Sequence, residues 1–231
     1  MVTPLKIAFV EWPEDLSADD AQWGELSDSV AAARPDILVT NELPFGPWIA
    51  EGAAFSNDQA ELSLRAHEKG LEGLIELALP AVISSRPVWN GKRLANEALV
   101  VENGVVRSLH RKQYFPNEPG WFESERYAGD GSGFSVAEIL GIKVGVLVCT
   151  EAMFRTRTGL WKAKSIADRR TSRVRSEYRV VESRRRHGFA CFWRVRRQFE
   201  PDRPFQRRYA VWRRRFRLCA ARTASGGDIL C

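Results

Sequence analysis

A chain of 231 residues is long enough for one large α/β domain or for two small domains. Its formal net charge of +6 is the sum of an acidic part and a basic part. Residues 1–154 carry 12 Lys and Arg against 23 Asp and Glu, and residues 155–231 carry 23 Lys and Arg against 6 Asp and Glu. The four cysteines form no CxxC pair, and no apolar run approaches the ~18 residues of a membrane span, which argues against a zinc site, a disulfide framework and a membrane protein. We expect a cytoplasmic protein with reduced cysteines and no secretion signal.

Short apolar, β-rich runs alternate with helical patterns through the first half of the chain. Strands are predicted over residues 6–12, 36–40 and 81–85, and helices over residues 19–34 and 57–77, where apolar residues recur at helical spacing. This alternation is typical of layered α/β proteins.

Two hairpins follow. Residues 94–101 and 105–110 flank Asn103-Gly104, a pair that favours a two-residue hairpin turn. A second hairpin-like pair is predicted over residues 139–148, turning near Gly141, and it leads directly to Cys149.

Three polar residues stand at predicted strand ends: Glu42, Lys112 and Cys149. Each alone is typical of a surface charge or of a small buried side chain. None of the three histidines lies in a Cys/His context, so a cysteine nucleophile here needs another base. A buried carboxylate can serve as that base, and a lysine can stabilise both the thiolate and the oxyanion formed by its attack.

The motifs around these residues resemble the nitrilase (carbon–nitrogen hydrolase) superfamily. They are Asn-Glu42-Leu-Pro-Phe, His-Arg-Lys112-Gln-Tyr-Phe-Pro and Val-Cys149-Thr-Glu-Ala-Met-Phe, in this order and within about residues 5–154. The resemblance implies a four-layer α-β-β-α sandwich, here incomplete after residue 154. It also implies hydrolysis of a nitrile, an amide or an N-carbamoyl compound without a cofactor or metal.

Residue by residue, the resemblance implies that Cys149 is the nucleophile and Glu42 the general base. The resemblance also implies that Lys112 stabilises the tetrahedral intermediate together with the backbone N–H of Thr150. Glu118 matches a second glutamate that orients the lysine and substrate, with a plain loop carboxylate as the open alternative; burial separates the two. Glu151 is expected to support the pocket.

Five aromatic residues near these motifs are candidates either for an apolar pocket or for plain core: Phe45, Trp48, Tyr114, Phe115 and Trp121.

The composition changes at Arg155. Twenty-one arginines in the last 77 residues interrupt any apolar face before it reaches a helix or strand period. Three interpretations stay open: a basic arm that binds nucleic acid, a disordered solvated tail, or translation in the wrong reading frame.

The wrong reading frame is the interpretation we favour. A one-base shift through permitted codons from Arg155 gives Glu-Arg-Ala-Arg-Ala-Tyr-Gly-Lys, which resembles the continuation of the family after its cysteine motif. Residues 1–154 are thus interpreted as the N-terminal part of a carbon–nitrogen hydrolase domain, and residues 155–231 as an Arg-rich frameshift segment, disordered or poorly folded. We therefore expect the chain as written to be unstable or inactive, although its candidate site residues are all present.

Two functions follow from these interpretations. The first is a hydrolase for a non-peptide carbon–nitrogen bond, with a small nitrile or amide as its substrate; intact members of the family usually form homo-oligomers. The second is a basic protein that binds nucleic acid or another anion through non-specific charge, with a degenerate N-terminal scaffold. Neither function involves a membrane.

Overall fold

The fold was analysed in a computed structural model. It describes residues 5–12, 16–52, 54–132 and 134–153, together with four short strands between residues 178 and 222. Within these ranges the chain forms two β-sheets and two long helices.

The larger sheet has the strand order β10-β11-β1-β2-β3-β4-β5. Its strands are β1 (Lys6–Glu11), β2 (Ile37–Val39), β3 (Ala81–Asn90), β4 (Arg93–Glu102), β5 (Val105–Arg111), β10 (Tyr209–Ala210) and β11 (Arg217–Arg222). β1, β2 and β3 run parallel, and β3, β4 and β5 are joined by antiparallel pairing. The parallel strands have the expected crossover helices between them, since α1 (Ala21–Ala33) follows β1 and α2 (Asn57–Glu76) follows β2.

The smaller sheet has the order β6-β7-β9-β8. Its strands are β6 (Val136–Ile139), β7 (Ile142–Val146), β8 (Tyr178–Arg184) and β9 (Ala190–Arg196), and all of them pair antiparallel. A short helix, α3 (Glu123–Arg126), lies between the two sheets in sequence, and a 3-10 turn, Cys149–Met153, follows β7.

Both faces of the larger sheet are buried. Alternate residues of β1 show this, because Ile7 and Phe9 pack with β7 residues such as Val144, whereas Ala8 and Val10 pack with helix residues such as Leu26. A strand buried on both sides reads as a continuous apolar run, which explains the composition of β1.

Three layers therefore lie within the described residues: helices, larger sheet and smaller sheet. They match the α-β-β part of the predicted α-β-β-α sandwich, and the prediction of its fourth layer falls outside the described residues. The frameshift prediction for residues 155–231 also falls mostly outside them and stays a prediction. In the part of the chain that the structure describes, no helix is long and apolar enough to cross a membrane.

The sequence placed the end of β3 too early. β3 continues from Ser85 through Pro87 to Asn90 and forms a hairpin with β4 at Gly91, whose φ is +68°. β2 pairs only with residues 81–83 of β3, so proline at position 87 removes no hydrogen bond to β2.

Candidate active site

The ends of three strands bring the predicted residues to one place. Glu42 follows β2, Lys112 follows β5, and Cys149 follows β7 across the interface between the sheets. Cys149 is buried, forms no disulfide and has a left-handed backbone with a φ of +49°. A residue other than glycine in this conformation is strained, and such strain clusters at functional sites.

Lys112 lies between two carboxylates. Its Nζ atom donates to Glu42 Oε1 at 2.9 Å and to Glu123 Oε2 at 2.5 Å. The side chains of Lys112 and Glu123 are fully buried, and that of Glu42 is 7% exposed. The ammonium group also lies 5.6 Å from the centre of the Phe115 ring. A lysine buried this deeply is stabilised only by such partners, which also hold its position.

The charge of Lys112 is maintained by its neighbours. Burial acts to lower the pKa of its ammonium group, but the negative charges of Glu42, Glu123 and Cys149 outweigh burial and raise this pKa above its ordinary value. Lys112 therefore stays protonated at neutral pH. The effect of Cys149 on this pKa also shows that the ammonium group lies within electrostatic reach of a Cys149 thiolate. Lys112 is thus suited to stabilise negative charge and is a poor base.

The structure does not bring Glu118 to Lys112, and the role of Glu118 toward the substrate stays a prediction. Glu118 lies exposed in a turn, where its backbone pairs with that of Trp121, whereas the carboxylates that accept from Lys112 in the described residues are those of Glu42 and Glu123. Glu123, at the start of α3, contacts Lys112 instead. Glu118 was assigned by its position after Lys112, and position alone does not report burial.

Glu123 is held in an environment that disfavours its charge. Burial is the main cause that raises the pKa of its carboxyl group, with Lys112 opposing the shift and the charge of Glu42 adding to it. Its second oxygen, Oε1, is buried without a hydrogen-bond partner in the described residues. The anchor of α3 is Arg126, which is 1% exposed and donates to the backbone oxygens of Ile49, Gly52 and Ala54. No sequence signal distinguished Glu123 from Glu118, because what separates the two residues is burial.

Glu151 holds the turn that carries Cys149. Its Oε2 atom accepts from the Val148 backbone N–H and lies 2.9 Å from His110 Nε2, and its Oε1 atom accepts from the Gln113 backbone N–H at 2.7 Å. Glu151 is fully buried and His110 is 4% exposed. The sequence assigned Glu151 a supporting role and assigned His110 none; the structure ties both to the segments that carry Cys149 and Lys112.

Thr150 adds a link between the same two segments. Its Oγ1 atom donates to the backbone oxygen of Tyr114 at 3.0 Å. The role of its backbone N–H as an oxyanion donor stays a prediction.

Of the five candidate aromatic residues, Phe45 lies in the core and Phe115 at the site. Phe45 is core, since it packs against Trp12 and Trp23 between the larger sheet and the helices. Phe115 lies at the site, stacked on Tyr127 and over Lys112. Within the described ranges, no cluster of three or more His, Cys, Asp or Glu side chains is arranged to hold a metal ion.

Comparison with known proteins finds similarity at the level of structure. No protein-family model matches the chain, and no curated protein matches it significantly. Among solved structures, a glutamine-dependent NAD+ synthetase from Acinetobacter baumannii matches 71% of this chain and 31% of its own, with 18% identity and a TM-score of 0.57. A carbon-nitrogen hydrolase from Helicobacter pylori matches 68% of this chain and 56% of its own, with 18% identity and a TM-score of 0.57.

An amidase from Nesterenkonia sp. matches 66% of this chain and 58% of its own, with 20% identity and a TM-score of 0.51. A variant of that amidase is described as a member of the nitrilase superfamily. The match thus spans between about a third and three fifths of the length of these proteins. The described part of this chain has the fold of the carbon–nitrogen hydrolases of the nitrilase superfamily.

Proposed function

We propose that this chain is a hydrolase of a non-peptide carbon–nitrogen bond, in an amide, a nitrile or an N-carbamoyl compound, and that Cys149 is its nucleophile. The observation that carries the proposal is the buried Lys112, which is paired with Glu42 and lies within electrostatic reach of Cys149. In a variant of the structurally similar Nesterenkonia amidase, the acetamide moiety of fluoroacetamide is attached covalently at the active-site cysteine.

The first half-reaction opens the carbon–nitrogen bond. Glu42 accepts the thiol proton of Cys149, and the thiolate sulfur attacks the carbonyl carbon of an amide. The oxyanion so formed is stabilised by the Lys112 ammonium and the Thr150 backbone N–H. When the intermediate collapses, the nitrogen leaves as ammonia with the proton returned by Glu42, and a thioester of Cys149 remains.

The second half-reaction uses water. Glu42 takes a proton from water, the hydroxide adds to the thioester carbon, and Lys112 again faces the oxyanion. Collapse releases the carboxylic acid and restores the Cys149 thiol. A nitrile enters through a thioimidate instead, to which one water adds before ammonia leaves, and it then follows the same thioester route.

Glu123 explains how Lys112 stays in place through this cycle. Each time Glu42 takes up a proton, its attraction for the ammonium group of Lys112 weakens. Glu123 accepts from Lys112 Nζ at 2.5 Å and takes no part in that proton transfer, so it provides a second contact that keeps the lysine directed at the developing oxyanion.

The test is ammonia release by the full chain from a panel of aliphatic and aromatic amides, nitriles and N-carbamoyl amino acids. The proposal expects turnover of at least one class that is abolished in Cys149→Ala and in Glu42→Gln. Turnover would also contradict the sequence-based expectation of an inactive chain. If no compound is turned over and Cys149 reacts with alkylating agents no faster than Cys191, Cys219 or Cys231, the proposed function is wrong.

A further inference from the structure

Asn96 lies in β4 directly beside the candidate triad. Its backbone oxygen accepts from the Lys112 N–H at 2.9 Å, one step beyond the paired residues Glu97 and Arg111. Asn96 and Lys112 are therefore opposite each other on adjacent antiparallel strands, and their side chains project from the same face of the sheet. Asn96 is completely buried.

The side chain of Asn96 contacts a second member of the triad. Its Nδ2 atom donates to Glu42 Oε1 at 2.6 Å, the same oxygen that accepts from Lys112 Nζ at 2.9 Å. The orientation of the amide is settled by chemistry, because an ionised carboxylate only accepts hydrogen bonds. Asn96 thus binds Glu42 through its side chain and Lys112 through its backbone.

One end of the Asn96 amide destabilises the fold. This end, Oδ1, is buried without a hydrogen-bond partner in the described residues. A buried acceptor left unpaired costs stability, and local conflicts of this kind concentrate at functional sites.

We propose that Asn96 is a positioning residue that orients the Glu42 carboxylate for proton transfer from Cys149. The inference rests on the proposed function, since it assigns Glu42 the role of base. With two donors on Oε1, the carboxylate cannot rotate about its terminal bond without losing both hydrogen bonds. Asn96 acts through Glu42 and does not touch the reacting atoms.

The test compares Asn96→Asp, which keeps the shape of the side chain but loses the donor, with Asn96→Ala. Asn90→Ala is the matched control, because Asn90 lies on the neighbouring strand and its side-chain amide donates to the Ala128 backbone oxygen, away from the triad. The readout is the rate of Cys149 alkylation by iodoacetamide as a function of pH, measured by peptide mass spectrometry on the full chain. The other three cysteines serve as internal references, since all four react alike in an unfolded protein.

The rate at neutral pH is expected to fall about 10- to 100-fold in Asn96→Asp, the size expected for one lost hydrogen bond to a charged group, and to stay unchanged in Asn90→Ala. As the pH falls, the introduced carboxyl group gains a proton that it can donate to Glu42. The difference in alkylation rate from the wild type should therefore become smaller at low pH in Asn96→Asp and stay the same in Asn96→Ala. The other charged or titratable groups that interact with Glu42, with Lys112 or with their neighbours are the same in both variants: Glu123, Tyr127, Arg126, Glu151 and Cys149.

A wild-type rate at neutral pH in Asn96→Asp overturns the inference. If the new carboxylate unfolds the protein, the rate of Asn96→Ala at neutral pH decides in the same way. A drop in Asn96→Asp that does not narrow as the pH falls indicates a merely structural role and also overturns the inference. Failure of the proposed function looks different, because Cys149 of the wild type would then react no faster than the other three cysteines.

Discussion

His67 makes the fold around Glu42 sensitive to acid. It lies in α2 and is 3% exposed. Its Nδ1–H donates to the Ser63 backbone oxygen at 2.8 Å, so Nε2 is the acceptor for the Phe45 backbone N–H at 3.4 Å. The ring thereby ties α2 to the segment that follows Glu42, and it can do so only while it is neutral.

The size of the effect follows from the pKa of His67. Burial lowers this pKa from 6.5 to about 4, against the opposing effect of backbone hydrogen bonds at Ser63 and Leu43. In the unfolded chain the ring gains its proton near pH 6.5, whereas in the native protein it stays neutral to about pH 4. The stability that His67 contributes is therefore full above pH 6.5 and is lost as the pH falls toward 4. At ~1.36 kcal/mol per pKa unit, the loss between pH 7 and pH 4 is about 3 kcal/mol, of which about 1 kcal/mol is lost by pH 5.5.

The assay is urea unfolding of the wild type and of His67→Gln between pH 7 and pH 4. Glutamine does not titrate, so the free-energy difference between the two proteins isolates the contribution of His67. We expect the advantage of the wild type to shrink by about 1 kcal/mol at pH 5.5 and by about 3 kcal/mol at pH 4. A difference that stays constant over this range, or that grows as the pH falls, would refute the assignment of a buried neutral histidine.

Three further predictions concern packing and charge. Gly70→Ala places a methyl group on the Phe45 ring and should destabilise the protein by about 1–3 kcal/mol, whereas Gly24→Ala meets nothing within 4 Å and should stabilise it by about 0.5–1 kcal/mol, both measured by urea unfolding. Glu151→Gln cannot accept at both ends of its side chain, so it should lose about 1–3 kcal/mol and slow Cys149 alkylation; unchanged stability would contradict the role of the Glu151 carboxylate. Burial raises the pKa of Glu123 to about 7. The stability that Glu123 contributes is therefore full below the unfolded pKa of 4.5 and is lost as the pH rises toward 7. The melting temperature of the wild type should fall relative to that of Glu123→Gln over this range.

Local patterns in the sequence were sufficient to predict most of the elements. The helical spacing of residues 57–77 corresponds to α2, and the Asn103-Gly104 pair forms the turn between β4 and β5 with positive φ at both residues. These features depend on neighbouring residues only, so they can be read without the fold. The strand predicted over residues 81–85 was too short, because whether a strand continues through a proline such as Pro87 depends on where its neighbouring strand ends.

The surroundings of the predicted triad could not be read in this way. Asn96 contacts Glu42 across 54 positions of sequence, and His110 contacts Glu151 across 41. Such contacts depend on strand order and on register across the two sheets, which composition does not encode. The sequence could not show that Glu123 and not Glu118 contacts Lys112, since the two residues differ in burial and not in type.

The most direct test of the central claim is the reaction of the full chain with fluoroacetamide. The account predicts that the Cys149 thiolate displaces fluoride, forming one sulfur–carbon bond. The peptide containing Cys149 should then carry one acetamide group, and those containing Cys191, Cys219 and Cys231 should carry none, with labelling strongly reduced in Lys112→Met. Equal labelling of all four cysteines, or labelling of Cys149 that does not depend on Lys112, would contradict the claim that the strand ends assemble an activated nucleophile.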